Sequence, residues 1–548
     1  MKKVIQFSLA NLIISIFLSL ACVLGYCAEH FGEIKFSSIW TYIVFVVGTA
    51  VSYIVINFLW LWFDRIVKRA DNGREIKHTW LVSTIIIWAL NFVVFLGVYP
   101  GFFCYDAQDE LMETITRSFN NQHPMLHVLS MGGIAQAVHK FTDDYNLAVA
   151  AFILFQMTII AIAFGYLVKV LKDEGLGRVG VILLSIYLGA FPVLTMYSLC
   201  SSKDGVFGAF LLCSVIQLGF FYKDPEKFWS EHRIRNIAIL IISLTGMMLM
   251  RNNGVYAFAV YLIISIVYLF KRYGSNAEEG ANRNRYVARF GTVGVVAIIL
   301  YFVINTTLLN ATNAASVGHR EILTVPIQQV SRLYSFDKEC LEQDEIDTLS
   351  RYIPTQAMKR YAPKCSDTVK IEFNEDEYLN DRFGFLGMWL KLGVKHPAAY
   401  INAWVMTSYG LYYPGALIDG YQDHEMFTYT YGDSSYFGYE AEPPAYREPI
   451  LPVIDDVYRW LSLDATAQKI PVASLLLSPG FMLWVFILLI GYKVSRSESN
   501  GIMEYILPLT VIATCLIGPI SLVRYEFYLW VFVPMLMIRI FSSKPKMQ

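Results

Sequence analysis

The stretch LAVAAFILFQMTIIAIAFGYLVK, residues 147–169, decides the fold class of this chain. It holds a single charged residue, Lys169, and exceeds the roughly 20 apolar residues that a helix needs to cross the hydrocarbon core of a bilayer. Similar stretches recur along most of the 548 residues, of which 55% are hydrophobic and 16% charged. Soluble domains average about 25% charged residues. The sequence therefore predicts an all-α polytopic membrane protein.

About twelve transmembrane helices can be read from the sequence. Basic residues concentrate in every second connection, beginning with Lys2 and Lys3, and positive charge in short loops marks the cytoplasmic side of a membrane. Twelve spans with cytoplasmic N- and C-termini satisfy this alternation in the cell membrane. The predicted spans cover residues 5–27, 39–63, 80–98, 147–169, 179–199, 205–222, 236–250, 254–270, 287–308, 472–492, 502–521 and 526–541.

Two long connections divide the chain on the predicted extracytoplasmic side. The first covers about residues 99–146 and belongs to an N-terminal transmembrane module, residues 1–308. The second, residues 309–471, is long enough to fold as a small domain, and C-terminal transmembrane helices follow in residues 472–548. The size of these two loops places the chemistry or the binding on the outer face.

Composition excludes some classes of function. A formal charge of −1, from 44 basic and 45 acidic residues, gives no reason to expect a nucleic-acid partner. The absence of a glycine-rich phosphate loop in the sequence disfavours a cytoplasmic enzyme that uses nucleotides. Eight cysteines without a C-x-x-C spacing give no zinc signature. Cys340 and Cys365, in the second loop, could pair in an oxidising compartment; plain buried thiols are the alternative.

Three carboxylates fall within five residues at the start of the first loop: Asp106, Asp109 and Glu110. Desolvation at a membrane interface raises the pKa of a carboxyl group towards values that suit a general base. We single out Asp106 as that base. The alternative is that the three acids cap and charge the first turn of an interfacial helix.

Two histidines follow in the same loop, His123 and His127. A spacing of four residues places both on one face of a helix, as in metal-binding pairs. Pro124 is expected at the first helical position, which leaves His123 at the cap and badly aimed for a metal. Substrate contact or capping is therefore the favoured interpretation, and a divalent cation is the alternative.

Three basic residues lie at the outer ends of predicted helices, against the general charge bias: Lys203, Arg251 and Arg524. A charge at membrane depth marks a function or an ion pair, and the planar fork of arginine suits a phosphate. The alternative is snorkelling, with Lys203 paired to Asp204 and Arg524 paired to Glu526.

The second loop contains a tract rich in aromatic residues. Eight aromatic side chains lie between Tyr421 and Tyr446, with acids interleaved among them. Aromatic rings beside carboxylates suit sugar faces and hydroxyl groups, although tyrosine also anchors proteins at membrane interfaces. The tract predicts either glycan contact or packing against the membrane or the rest of the protein.

Taken in order, several short motifs resemble those of a large, poorly characterised group of bacterial GT-C-type membrane glycosyltransferases. The resemblance is clearest over residues 95–255. The acidic loop follows the third predicted span here, whereas in many members it follows the first. The motifs are Tyr99-Pro100-Gly101, Tyr105-Asp106 followed by Gln108, His123-Pro124, Lys203-Asp204 and Arg251-Asn252-Asn253-Gly254.

The resemblance implies an inverting transfer of a sugar from a polyprenyl-phosphate-linked donor to a glycan or other cell-envelope acceptor. Asp106 would be the base, with Asp109 and Glu110 as neighbouring candidates. A divalent cation is the one cofactor left open, and membrane lipids are the remaining partners. The residues implied in binding donor or acceptor are Tyr105, Gln108, His123, Lys203, Asp204, Arg251, Asn252 and Arg524.

Two other classes of function stay open. Twelve spans with both ends inside are also common in transporters, so a transporter or flippase of an envelope lipid or small solute is the main alternative. Transporters usually have two similar halves and polar sites near the middle of the membrane. Here the halves are unequal and the polar residues crowd the outer helix ends. A polymer-anchoring or signalling protein without enzymatic activity is the third class.

Overall fold

The computed structural model describes residues 8–66, 77–273, 277–417, 443–463, 466–496 and 501–541. Within these ranges the chain is helical, with isolated β-bridges and no strand. Up to the second loop the helices are α1 (Leu9–Phe31), α2 (Ile39–Phe63), α3 (Thr79–Gly97), α4 (Ala107–Thr116), α5 (Met125–Thr142), α6 (Tyr145–Asp173), α7 (Arg178–Ala190), α8 (Pro192–Ser198), α9 (Asp204–Lys223), α10 (Pro225–Ser230), α11 (Arg233–Met250), α12 (Gly254–Arg272) and α13 (Ala277–Thr312).

The second loop and the C-terminal part are helical as well. The second loop contributes α14 (Thr324–Phe336), α15 (Gln343–Tyr352), α16 (Thr355–Met358), α17 (Asp367–Lys370), α18 (Glu375–Asn380), α19 (Arg382–Lys395), α20 (Pro397–Tyr412), α21 (Pro452–Leu463) and α22 (Thr466–Lys469). The remaining helices are α23 (Ala473–Leu477), α24 (Pro479–Ser495), α25 (Ile506–Cys515) and α26 (Leu529–Phe541). Short 3-10 turns cover Lys338–Cys340, Met503–Tyr505 and Val523–Tyr525.

Eight of the described helices are long and apolar enough to cross a membrane: α1, α2, α3, α6, α9, α11, α12 and α13. The pair α7 and α8 passes the same test together and would be a ninth span, bent by 60°. Three further apolar helices are shorter: α24, the run Met503–Cys515, and α26. The chain is thus a polytopic, helical membrane protein, as the sequence predicts. The count of twelve spans stays a prediction.

Local sequence explains where several of these helices begin and end. The Asp144 side chain accepts hydrogen bonds from the N–H groups of Asn146 and Leu147 and so caps α6. Helix α1 ends at Gly32, whose φ of +70° suits glycine. Pro192 has no N–H to donate, and the chain bends at this residue between α7 and α8.

Two hydrophobic cores organise the described residues. The main core lies between the long helices, with α3 against α6 and α9 against α11. A second core is formed by residues of α14 to α20 within the second loop. Helix α20 joins the two cores: Tyr400 belongs to the second, whereas Tyr409 belongs to the main core beside α1.

The cysteines form no disulfide in the described residues. Cys340 is exposed, while Cys365 is buried against Ile520 and Leu522. The pairing that the sequence allowed between Cys340 and Cys365 is therefore not formed.

Candidate functional site

Backbone pairing brings two distant parts of the chain together beside the end of α3. Phe102 donates its N–H to the carbonyl oxygen of Leu199 at 2.9 Å, and its own carbonyl accepts the N–H of Ser201 at 2.9 Å. These bonds align the segment that leads into α4 with the segment that leads into α9. Asp106 and Lys203, the residues directly before those two helices, consequently meet although they are far apart in sequence.

Gly205 permits the close packing that positions Lys203. A Cβ atom at this position would lie 2.4 Å from the carbonyl oxygen of Tyr197 in α8. Real Cβ atoms do not approach a carbonyl oxygen so closely. The first turn of α9 can therefore lie against α8 only because residue 205 has no side chain.

Seven side chains form what we call the charge cluster, with Lys203 at its centre. The ammonium nitrogen of Lys203 lies 2.7 Å from Asp106 Oδ2, 3.4 Å from Glu110 Oε1 and 3.4 Å from His123 Nδ1. Asp106 is 32% exposed, whereas the Glu110 side chain is only 2% exposed. Asp106 is thus the acid of this group that solvent or a ligand can reach. The cluster consists of Asp106, Glu110, His123, Lys203, Asp204, Arg251 and Arg524.

Two buried arginines form the other half of the charge cluster. Arg524 Nη1 lies 3.5 Å from Asp106 Oδ2, and Arg524 Nε lies 3.8 Å from Asp204 Oδ2. Arg251 Nη1 lies 3.5 Å from Asp204 Oδ1. These separations are longer than good hydrogen bonds, and Arg251 Nη1, Arg524 Nε and Arg524 Nη1 donate to no atom of the described residues. Buried donors of this kind mark a place for an acceptor such as an anion.

The pairing expected from the snorkelling alternative is wrong. In the described chain Lys203 pairs with Asp106 and Glu110 rather than with its neighbour Asp204. Arg524 approaches Asp106 and Asp204 rather than Glu526. Arg524 therefore links the Lys203–Asp106 pair to the Arg251–Asp204 pair.

Aromatic rings hold the two guanidinium groups in place. The Arg524 guanidinium carbon lies 4.2 Å from the ring centroid of Tyr105, and that of Arg251 lies 4.8 Å from the centroid of Tyr525. Such contacts orient a guanidinium group without using its hydrogen-bond donors. Tyr105 has a φ of +64°, a strained backbone conformation for a residue other than glycine.

The pKa of Asp106 moves against expectation. Burial raises the pKa of this carboxyl, but the charges of Lys203 and Arg524 outweigh burial and lower it well below its usual range. The predicted rise of the pKa by desolvation is therefore wrong, because the sequence does not reveal how many cations surround the acid. The capping alternative does not describe Asp106 either: it occupies the N-cap position of α4, but its side chain makes no capping hydrogen bond.

Glu110 is the buried acid that pairs with Lys203. Its Oε2 lies 2.6 Å from His127 Nδ1, and its Oε1 lies 3.6 Å from His123 Nδ1. Burial raises the pKa of Glu110, but His127 and Lys203 outweigh burial and lower it to about 2. Both histidines thus contact Glu110, and the pair does not form a two-histidine metal site. Pro124 is the N-cap of α5 rather than its first helical residue.

Three donor groups could in principle hold a divalent cation. Ligand atoms of Asp106, Glu110 and His123 all lie within 4.8 Å of one another. Carboxylate oxygens and an imidazole nitrogen are suitable ligands for zinc or manganese. The ammonium group of Lys203 contacts the same three side chains, however. With Lys203 in this position, the residues do not fit a divalent cation.

A polar pocket of about 280 Å³ opens beside the charge cluster, and we call it the acidic pocket. Glu113 is fixed in it by Asn120, whose side-chain nitrogen donates to Oε1 at 2.7 Å and whose backbone N–H donates to Oε2 at 3.3 Å. Burial raises the pKa of Glu113 to about 7. The lining residues are Asp109, Met112, Glu113, Thr116, Ser118, Asn120, Gln122 and His123.

The other predicted site residues lie around these two features. Asp109 is exposed and lines the acidic pocket, while Gln108 is half-buried in the first turn of α4. Asn252 is exposed, and its side chain donates to the backbone oxygen of Gln122 at 3.3 Å. Most of the aromatic tract, through residue 442, lies outside the described residues.

Sequence reasoning missed two side chains of this region. Glu113 follows Glu110 by three residues and so lies on the same face of α4, a spacing that could have drawn attention to it. Tyr525 directly follows Arg524, but its contacts with both arginines depend on the fold.

Comparison with known proteins gives one match. Residues 111–548 match a family of unknown function, DUF6020. The chain belongs to this family. The match includes His123, Lys203, Asp204, Arg251 and Arg524 and begins one residue after Glu110. No curated protein and no solved structure matches the chain.

Proposed function

We propose that this DUF6020 member is a membrane glycosyltransferase that moves a sugar from a polyprenyl-phosphate-linked donor to a hydroxyl group of a cell-envelope acceptor, with inversion. One observation carries the proposal: the partly exposed carboxylate of Asp106 lies within 4 Å of both Lys203 and Arg524, beside a polar pocket. Transfer from a lipid phosphate needs an acid–base group for the acceptor proton and cations for the leaving phosphate. The charge cluster offers both.

The proposed step is a single displacement. The acceptor hydroxyl gives its proton to Asp106, and the acceptor oxygen forms a bond to the anomeric carbon of the sugar. The bond between that carbon and the phosphate oxygen breaks, and its electron pair leaves with the polyprenyl phosphate. Lys203, Arg251 and Arg524 stabilise the negative charge that accumulates on the phosphate.

Donor binding would make Asp106 a better base. Without donor, the low pKa of Asp106 reflects its ion pairs and makes the carboxylate a weak base. A phosphate competes for Lys203 and Arg524, and each cation that turns towards the phosphate removes a charge that lowers the pKa of Asp106. The base would therefore become effective only when the donor is bound.

The acidic pocket is the proposed acceptor site. His123 belongs to both the pocket and the charge cluster, so an acceptor in the pocket lies next to Asp106. Burial and the Lys203 charge lower the pKa of His123, which leaves its imidazole neutral at neutral pH. Carboxylates of Asp109 and Glu113 can accept hydrogen bonds from sugar hydroxyl groups.

The proposal includes twelve spans, cytoplasmic termini and a charge cluster on the extracytoplasmic face. Its support is the distribution of charge along the helices. Lys203 and Asn253 directly precede α9 and α12, next to the charge cluster, whereas Lys223 and Arg272 lie in the last turns of the same helices. The basic loops are thus at the opposite helix ends, as expected if those ends face the cytoplasm.

The Asp106→Asn variant tests the proposal. Asn is nearly isosteric with Asp but cannot accept the proton, so we expect turnover to fall by about 10² to 10⁴. The assay is transfer by purified protein from a panel of polyprenyl-phosphate sugars, with melting temperature measured in parallel. Asp109→Asn is the comparison variant and should lose clearly less turnover, because Asp109 lines the acidic pocket but lies outside the charge cluster.

Three outcomes are informative. Transfer near the wild-type rate by Asp106→Asn would remove Asp106 from the mechanism and favour Asp109 or Glu110. Glu110→Gln is expected to lose stability as well as activity, because Glu110 is buried between His127 and Lys203. Wild-type protein that moves a lipid-linked sugar across vesicle membranes without transferring it would support the flippase alternative.

A further inference from the structure

Lys203 occupies the position in which a divalent cation would bind. Asp106 Oδ2 and Glu110 Oε1 lie 3.8 Å and 3.6 Å from His123 Nδ1, so a single ion could touch all three atoms at ordinary metal–ligand distances. The ammonium nitrogen lies 2.7, 3.4 and 3.4 Å from these same atoms. An ion held by the three atoms would be in direct contact with the ammonium group, and two like charges so close repel strongly.

The surroundings of Lys203 keep its charge in place. Its side chain is 15% exposed, and burial lowers the pKa of the amine, but Asp106 and Glu110 outweigh burial and raise it. The amine is therefore protonated at neutral pH. Gly205 allows the first turn of α9 to pack against α8, which fixes the direction in which Lys203 leaves the backbone.

We infer that the Lys203 ammonium group is the resident cation of the charge cluster and replaces a divalent metal ion. The carboxylates of Asp106 and Glu110 are thereby neutralised without a bound metal. If the proposed transfer takes place here, its positive charge comes from Lys203 and the two arginines, and a metal chelator does not inhibit it. This last consequence rests on the proposed function, whereas the occupancy of the site does not.

Removal of the amine should convert the cluster into a metal site. In Lys203→Met the side chain keeps similar length but loses its charge, and the three donors become available to an ion. We expect this variant to bind Mn²⁺ at least ~10-fold more tightly than the wild type. The readout is the fall of the free Mn²⁺ electron paramagnetic resonance signal on titration with purified full-length protein, together with the rise in melting temperature on adding Mn²⁺.

Two further variants identify the site that binds. Lys203→Arg keeps a positive charge in the same place and should bind Mn²⁺ no better than the wild type. Adding His123→Ala to Lys203→Met removes one of the three ligands and should abolish the gain. If Lys203→Met does not fold, Lys203→Gln is the second variant, because its amide is neutral and polar.

The outcomes separate this inference from the proposed function. The inference would be overturned if the wild type bound Mn²⁺ tightly and His123→Ala abolished this binding. It would also be overturned if Lys203→Met and the wild type bound Mn²⁺ equally well. A third outcome against the inference is sugar transfer by the wild type that a chelator abolishes and added Mn²⁺ restores. Failure to detect any sugar transfer would count against the proposed function alone, because Mn²⁺ binding is measured without substrate.

Discussion

Lys203→Met should destabilise the protein in a pH-dependent manner. The substitution leaves Asp106 and Glu110 without the ammonium group that lies 2.7 Å and 3.4 Å from their oxygens. Removing one partner of a buried ion pair costs about 3–5 kcal/mol. We expect the lower end, about 3 kcal/mol at pH 8, because Asp106 is 32% exposed and keeps Arg524 at 3.5 Å.

The sign of the pH dependence follows from the two acids. In the wild type the folded-state pKa values of Asp106 and Glu110 are lowered, to about 2 for Glu110, so their stabilisation persists from pH 8 to pH 5. In the variant Asp106 loses the largest of the charges that lower its pKa, whereas Glu110 loses Lys203 but keeps His127, the larger of the charges that lower its own. Both pKa values therefore rise, that of Asp106 more than that of Glu110. The folded variant then takes up protons as the pH falls, which relieves the unpaired charges. The loss of stability should therefore shrink between pH 8 and pH 5.

The assay is thermal unfolding of both proteins in detergent and chelator, at pH 5, 6, 7 and 8. His123 also contacts Lys203, and loss of the Lys203 charge raises the pKa of His123, so its proton uptake shrinks the gap at low pH in the same direction. Groups that do not contact Lys203 titrate in both proteins and cancel in the difference between them. Lys227→Met is the control, because the Lys227 pair with Glu231 is exposed and such pairs contribute at most about 1 kcal/mol. An equal gap in melting temperature between wild type and Lys203→Met at pH 5 and pH 8 would refute the reasoning.

Three further predictions follow from the same residues. Arg251→Lys should lose most of the sugar transfer although the charge is kept, because lysine lacks the planar fork of arginine. If the Lys variant were equally active, Arg251 would contribute only its charge or a structural role. Glu113→Gln should raise the free energy of unfolding by at most about 3 kcal/mol above pH 7 and should leave it unchanged at pH 4. The reason is that the raised pKa of Glu113 makes the folded wild type less stable as the pH rises. Unfolding measured at both pH values checks this. In a Cys340→Ser background, an impermeant thiol reagent should label Gln122→Cys in intact cells but should not label Asn282→Cys. The reverse result would contradict the proposed orientation, with cytoplasmic termini and the charge cluster outside.

The long helices were predictable because hydropathy over some 20 residues is a local property. Residues 179–199 were predicted as one span, yet the chain bends by 60° at Pro192, and the missing N–H of proline is a local signal for that break. The position of α20 was not predictable from the sequence. Its apolar residues fit either core of the protein, and only the fold places Tyr409 beside α1.

The partners of the cations were predicted from proximity in sequence, and that criterion failed for a physical reason. Residues one or two apart do not face each other in a helix or a tight turn. Lys203 and Asp204 therefore point in different directions at the start of α9, and Lys203 reaches Asp106 instead. The sequence could identify Lys203, Arg251 and Arg524 as unusual, but their assembly into one charge cluster depends on long-range pairing such as that between Phe102 and Cys200.

Charge balance in the charge cluster fits the proposed reaction. Lys203, Arg251 and Arg524 are matched by three acids, Asp106, Glu110 and Asp204. A bound phosphodiester donor adds one negative charge. During transfer the leaving phosphate gains a second negative charge while Asp106 loses one by protonation. The total charge of this poorly solvated site is then the same before and after the step, so no large solvation cost opposes it.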